Sequence, residues 1–236
     1  MIINWFPGHM TSSLRMLEKQ ISQVDVIIYV LDARCMKSCL NPEFQKFTQR
    51  KPVIFFHSKT DLAPGTGHRN DIVAEIKKLF PVPKKMVRAM VIGVPNSGKS
   101  TLINKLANKK KTLTGDKPGI TRTKQWVTAD DHLWLMDTPG ILWPKLENQQ
   151  IARNLAYIGT IKDDILDIVE LSKQLLADLT ILGHPAISFE DFGRKRGYLL
   201  KGGILDEERC AKAILLDFRH GKMGKYNLDE LIDNTE

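Results

Sequence analysis

Apolar residues along this chain recur with two different periods. Leu14, Leu17, Ile21 and Val24 share one face at helical spacing and predict a helix over residues 11–23. Residues 24–32 form a nearly continuous β-branched apolar run, the pattern of a strand buried on both faces of a parallel sheet. Shorter runs at 52–56, 87–92 and 133–136 predict three more strands, and residues 125–128 an edge strand. A short helix at about 70–80 precedes the stiff connector Pro81-Val82-Pro83-Lys84-Lys85, and another helix runs over 101–107.

From about residue 148 only helical periods remain. Ile165, Ile168, Val169, Leu175 and Leu176 mark one helix, and Ser188 with Asp191 three residues on resembles a capping box. Ala211, Ile214, Leu215 and Phe218 mark another, opened by Asp206 and closed near Gly221. Strands alternating with helices, then helices alone, imply an α/β domain with a mostly parallel sheet (about 1–147) followed by a small all-α domain (about 148–236).

Composition narrows the class. With 236 residues, 42% apolar and 26% charged, the chain is globular and has material for a core. No apolar run approaches the roughly 20 residues of a membrane span, and the N-terminus lacks an export signal. Three cysteines (Cys35, Cys39, Cys210) read as reduced thiols of a cytoplasmic protein. Cys35 and Cys39, with no histidine pair nearby, point to packed or exposed thiols rather than zinc.

The net charge of +8 is unevenly placed. Residues 105–124 carry 7 basic groups against 1 acidic, and residues 192–225 carry 9 against 4. Such blocks are either solvated faces or sites for a polyanion, whose counterions are released on binding. Arg194, Lys195, Arg196 and Lys201 are interrupted by Gly197, Gly202 and Gly203, and glycines beside cations allow close approach to phosphates, which favours RNA contact. Trp126 and Trp143 either stack on bases or pack internally.

The chemistry centres on Gly93-Val94-Pro95-Asn96-Ser97-Gly98-Lys99-Ser100, a match to GxxxxGK[ST] that follows a predicted strand and opens a helix. Val94, Pro95, Asn96, Ser97, Gly98, Lys99, Ser100 and Thr101 would cradle phosphates with backbone N–H groups and the positive end of the helix. Lys99 would reach the β- and γ-phosphates and Ser100 would ligate Mg²⁺. Asp137-Thr138-Pro139-Gly140 ends a predicted strand, where Asp137 can hold the Mg²⁺ shell and the Gly140 N–H can meet a γ-phosphate. Thr121, in the loop Pro118-Gly119-Ile120-Thr121-Arg122, can complete the metal shell.

Together these motifs resemble the translation-factor class of GTPases, except in order. The best match to the guanine motif Asn-Lys-x-Asp is Ser58-Lys59-Thr60-Asp61, which precedes the phosphate loop, as in circularly permuted GTPases. Trp5-Phe6-Pro7-Gly8-His9-Met10, Asp32-Ala33-Arg34, the run at 137–145 and Arg194-Lys195-Arg196-Gly197 are similar to the ribosome biogenesis GTPase A (YlqF) family, from about residue 4 to 225. The resemblance implies a P-loop GTPase fold, circularly permuted, whose helical domain contacts RNA. It also implies GTP and GDP as ligands with Mg²⁺ and a role in late assembly of the large ribosomal subunit; the sequence itself suggests neither a membrane partner nor an obligate oligomer.

Within that resemblance, Asp61 would accept from guanine N1–H and the exocyclic amine, and Lys59 would pack along the ring. Ser58 replaces the expected Asn and loses an amide that braces the loop. Only 25 residues separate Asp61 from Val87, with no Ser-Ala-type loop for guanine O6 and room for one sheet strand fewer. Ile141 stands where many GTPases place a water-orienting Gln. His9 either positions that water or only braces its turn or touches RNA. Asn96 either ligates K⁺ beside the phosphates or merely stabilises the loop. Hydrolysis would be slow until a partner binds. Two other readings stand beside this one, an RNA-binding assembly factor with a degenerate nucleotide site and a P-loop ATPase.

Overall fold

In the computed structural model the described residues are 3, 9–65, 71–81, 86–107, 126–130 and 132–233. Five strands form one sheet in the order β2-β1-β3-β5-β4, with β1 at Val26–Asp32, β2 at Val53–Ser58, β3 at Val87–Ile92, β4 at Trp126–Asp130 and β5 at Leu133–Asp137. All pairings are parallel except the edge pair β4–β5. The five strands read from the sequence are thus present, with bounds shifted by a few residues.

Alternation along β1 explains the two layers. Val26, Ile28 and Val30 face a cluster with Ile72 and Ile76 of α3 (Ile72–Leu79) and Leu102 and Ile103 of α4 (Lys99–Ala107). Ile27, Tyr29 and Leu31 face the opposite cluster, with Met10, Leu14 and Leu17 of α1 (His9–Gln20) and with Phe44 and Phe47 around α2 (Gln45–Thr48). Both faces of β1 are covered, so the run needs no polar alternation.

The second cluster continues into the C-terminal helices: α5 (Gln149–Tyr157), α6 (Ile168–Ile181), α7 (Phe189–Lys195), α8 (Glu207–Arg219) and α9 (Glu230–Asp233). Ser188 caps α7 by accepting from the Asp191 N–H, and Asp206 caps α8 by accepting from the Arg209 N–H. The helix marked by Ile168 does not include Ile165. That residue sits exposed in a 3₁₀ turn, because Asp167 caps the helix immediately before Ile168. Trp143 is buried in the shared core, so its fate is packing. Cys35 and Cys39 are buried there too, with their sulfurs 4.0 Å apart. No helix among the described residues is long and apolar enough to cross a membrane.

Candidate nucleotide site

The site lies at the carboxyl ends of the parallel strands, where an open α/β sheet offers its crevice. β3 runs into Gly93, where a Cβ would come within 2.5 Å of the Val30 carbonyl oxygen on β1. Only glycine lets the loop pass so close. Asn96 (φ 58°) and Gly98 (φ 93°) adopt left-handed backbone before α4 begins at Lys99. Ser100 and Thr101 are exposed on the first turn of α4, at the end of the helix that attracts anions.

Lys99 is buried, and its Nζ donates to the carbonyls of Gly93 (3.2 Å) and Val94 (2.8 Å). An ammonium has three protons, so one more acceptor, such as a phosphate oxygen, completes it. Burial lowers its pKa to about 8, against the opposing pull of the Asp137 charge.

Asp137 ends β5 beside Val91 of β3. Its Oδ1 is buried with no hydrogen-bond partner, and burial raises the carboxyl above its ordinary value despite Lys99 and the Thr138 N–H. A hard divalent cation carrying its own water would satisfy that orphaned oxygen, and with the Ser100 hydroxyl the donor set is all oxygen. These residues fit Mg²⁺. The Thr138 hydroxyl donates to Val91 O at 2.5 Å and anchors the segment. A Cβ on Gly140 would lie 2.5 Å from Pro95 Cα and 3.0 Å from Lys99 Nζ, so the segment packs directly on the phosphate loop. Ile141 is buried, its N–H donating to Gly93 O and its carbonyl accepting from Asn41 Nδ2.

At the other end of the site Ser58 corrects the sequence expectation. Its hydroxyl lies 2.6 Å from Ser97 O and 3.1 Å from Leu31 O, so the brace between the two loops survives without an amide. The short side chain reaches because Gly98 has no Cβ; one built there would sit 3.2 Å from Ser58 Cβ. Lys59 (φ 51°) sends Nζ to Asn96 O and to Asp32 Oδ2, both at 2.9 Å. Burial alone would raise the Asp32 carboxyl, but hydrogen bonds and charge from Arg34 and Lys59 hold it below its ordinary value. Asp61 is exposed in the 3₁₀ turn Thr60–Leu62.

Ser58, Lys59, Asn96, Ser97, Lys99, Asp137 and Gly140 therefore meet at one place. His9 opens α1, but its side chain lies outside the described residues, as does Thr121. Sequence reasoning missed the contribution of the C-terminal helices. Asn96 Nδ2 donates to Gly159 O at 2.5 Å, and Thr160 Oγ1 donates to Pro95 O at 3.2 Å. Arg34, buried in a bidentate pair with Asp32, lies 5.5 Å from the Phe218 ring centre. No local pattern announces such contacts, since the partners are far apart in sequence. Between the Thr60–Leu62 turn and β3 the described residues contain α3 and no strand, and β2 is an edge of the sheet.

The basic block near the chain's end also takes shape. Arg194, Lys195 and Arg196 are exposed at the end of α7, and Arg196 stacks on Phe192 while pairing with Asp217 at 2.6 Å. Lys201 lies exposed in the turn between Leu199 and Leu205, which form an isolated antiparallel bridge.

Residues 88–187 match the family model described as 50S ribosome-binding GTPase. Ribosome biogenesis GTPase A of Bacillus cereus is 32% identical, the alignment covering 97% of this chain and 94% of that protein. The same-named protein of Priestia megaterium is 33% identical, over 98% and 97%. These alignments run over 278 and 281 positions against a chain of 236, so both relatives carry segments this chain does not. Among solved structures, GNP-bound YlqF from T. maritima has a TM-score of 0.69 at 26% identity, covering 89% of this chain and 94% of that one. A GDP-bound YlqF scores 0.67 at 25% identity, covering 91% and 98%. With a phosphate loop at the centre of the sheet, its base-side loop earlier in the chain, and relatives of this identity along nearly its whole length, the chain belongs to the ribosome biogenesis GTPase A family and has the P-loop GTPase fold.

Proposed function

We propose that this protein binds and hydrolyses GTP and assists assembly of the large ribosomal subunit. It would bind the precursor subunit through rRNA in the GTP state and leave it after hydrolysis. The carrying observation is the closure of the site from three separate stretches of chain: Lys59 Nζ on Asn96 O, Ser58 Oγ on Ser97 O, and Gly140 packed on Pro95 beside Lys99 Nζ. The first two hold the base-side loop against the phosphate loop. The third supports a role for the Gly140 N–H in sensing the γ-phosphate.

In this reading residues 1–147 form the GTPase unit and 148–236 the RNA-contacting one. Ser100, Thr121 and Asp137 hold Mg²⁺, whose charge offsets that of the phosphates. Asn96 presents its carboxamide oxygen to K⁺, and His9 orients the attacking water. Ile141 is buried and its side chain has no polar group, which supports slow hydrolysis until the ribosomal subunit binds. Arg194, Lys195, Arg196 and Lys201 contact rRNA phosphates. Hydrolysis assays with and without large-subunit precursors, in K⁺ and in Na⁺, test this: stimulation by both is expected, and no turnover under any condition would leave an RNA-binding factor with a silent nucleotide site.

One observation favours a second reading. With β2 at the sheet edge, the described residues before β3 hold no strand that would bring a guanine O6 contact. A base pocket read by Asp61 alone would discriminate less against adenine, the behaviour of a P-loop ATPase.

A further inference from the structure

The last turn of α8 carries three consecutive residues that reach different parts of the molecule. Asp217 pairs with Arg196 in the basic block, Phe218 lies under Arg34 beside the base-side loop, and Arg219 holds the turn that touches the phosphate loop. Of these, Arg219 makes the most complete set of bonds.

Its Nε donates to Tyr157 O at 3.0 Å and its Nη2 to Ala156 O at 3.0 Å, carbonyls in the last turn of α5, the second of which also accepts from the Gly159 N–H at 3.0 Å. Nη1 and Nη2 meet the two Asp163 oxygens, each at 2.7 Å. This fork fixes the guanidinium in one plane. Gly159 follows at φ +79°, and a Cβ there would lie 3.2 Å from Arg219 Nε, so the turn is moulded against the arginine. The Gly159 carbonyl then accepts from Asn96 Nδ2, and Thr160 Oγ1 donates to Pro95 O. Asn96 is held from both sides, its backbone carbonyl by Lys59 and its side-chain amide by Gly159.

An Asn carboxamide can flip, exchanging donor and acceptor. Engaging Nδ2 on a carbonyl removes that choice, so Oδ1 is the fork left for a cation. We propose that Arg219 is a positioning residue for the nucleotide centre, acting through Gly159 to fix the orientation of the Asn96 carboxamide. This rests on the reading that Asn96 Oδ1 meets K⁺ beside the phosphates. It predicts that cation selectivity depends on a residue outside the phosphate loop.

The test uses the full chain and reads binding of GDP with aluminium fluoride in K⁺ and in Na⁺. Wild type is expected to bind this complex at least about tenfold more tightly in K⁺, one step of the usual affinity scale. Arg219→Ala, and Arg219→Lys, which keeps the charge but loses the fork, are expected to reduce that ratio to near one while GDP affinity in Na⁺ stays within about twofold. Thr160→Val, which removes only the Pro95 bond, guards against loss of fold in the arginine variants and is expected to lower the ratio partway. Leu216→Ala, on the exposed side of the same helix, is expected to keep the wild-type ratio. A folded Arg219→Ala protein that keeps the full K⁺ preference would overturn the proposal. If wild type shows no preference, the K⁺ reading fails separately, and amide exchange of residues 94–98 then decides: faster exchange in Arg219→Ala upholds the positioning role, and unchanged exchange overturns it.

Discussion

The Ser58 hydroxyl lies 2.6 Å from the carbonyl oxygen of Ser97, joining the base-side loop to the phosphate loop across 39 residues of sequence. One short side chain does here what a longer amide would do, because Gly98 leaves room for it. Removing the hydroxyl leaves a buried carbonyl without its donor, so Ser58→Ala is expected to weaken GDP and GTP binding by up to roughly tenfold and to lower stability by about 1–3 kcal/mol. Isothermal titration of both nucleotides checks this, and unchanged affinity would mean the brace is idle.

Lys99 gives a pH signature. In the nucleotide-free protein its pKa is about 8, so below that pH the ammonium is already charged and ready for phosphate. Above it, binding must first add a proton. GDP affinity is therefore expected to be flat from pH 6.5 to about 7.5 and to fall by up to about tenfold per pH unit beyond 8. The same shift acts on folding. Between about 8 and the ordinary 10.5 the unfolded state holds the proton and the native state does not, so this group's contribution to nucleotide-free stability rises with pH. Titrations and melts across that window read both slopes, and a GDP affinity that climbs above pH 8 would contradict the assignment.

Gly140→Ala tests the contact between the Asp137–Gly140 segment and the phosphate loop. Its added Cβ would sit 2.5 Å from Pro95 Cα, far inside van der Waals contact, so the segment must move away. Affinity for a non-hydrolysable GTP analogue is expected to drop by at least about tenfold and that for GDP by less than about threefold if, as proposed, only the γ-phosphate meets the Gly140 N–H. Equal losses would place the effect in the loop instead.

The basic block predicts a salt law. Lys195 and Lys201 are exposed and free to meet phosphates if the turn of residues 199–205 enters an RNA groove. Binding to an rRNA fragment is expected to weaken steeply with salt, and each lysine-to-alanine change to lower the slope of log K against log salt by about 0.7 to 0.9. A slope that stays at the wild-type value would put the contact elsewhere.

The parts of this molecule that were legible in the sequence are those with local signatures. β1 announces itself because a strand covered on both faces must be apolar throughout, and the phosphate loop because glycines, lysine and helix start sit at fixed spacing. The segment at 41–48 was not legible, since two short helical turns are too brief to show a period. Ile165 misled because its neighbours carry a helical period while Asp167, by capping, starts the helix after it. The Arg219–Gly159–Asn96 chain was invisible, because each link spans about 60 residues and depends on α5 and α8 being packed together. Ser58 reads as a loss in the motif and as a retained bond in space.

The central claim is that this site reads guanine. A fluorescent GTP titrated in Mg²⁺ and K⁺, then competed with unlabelled GTP, GDP and ATP, tests it most directly. Displacement by GTP and GDP, with ATP at least about a hundredfold weaker, is the expected result if Asp61 pairs with the base edge. ATP competing as well as GTP would contradict it.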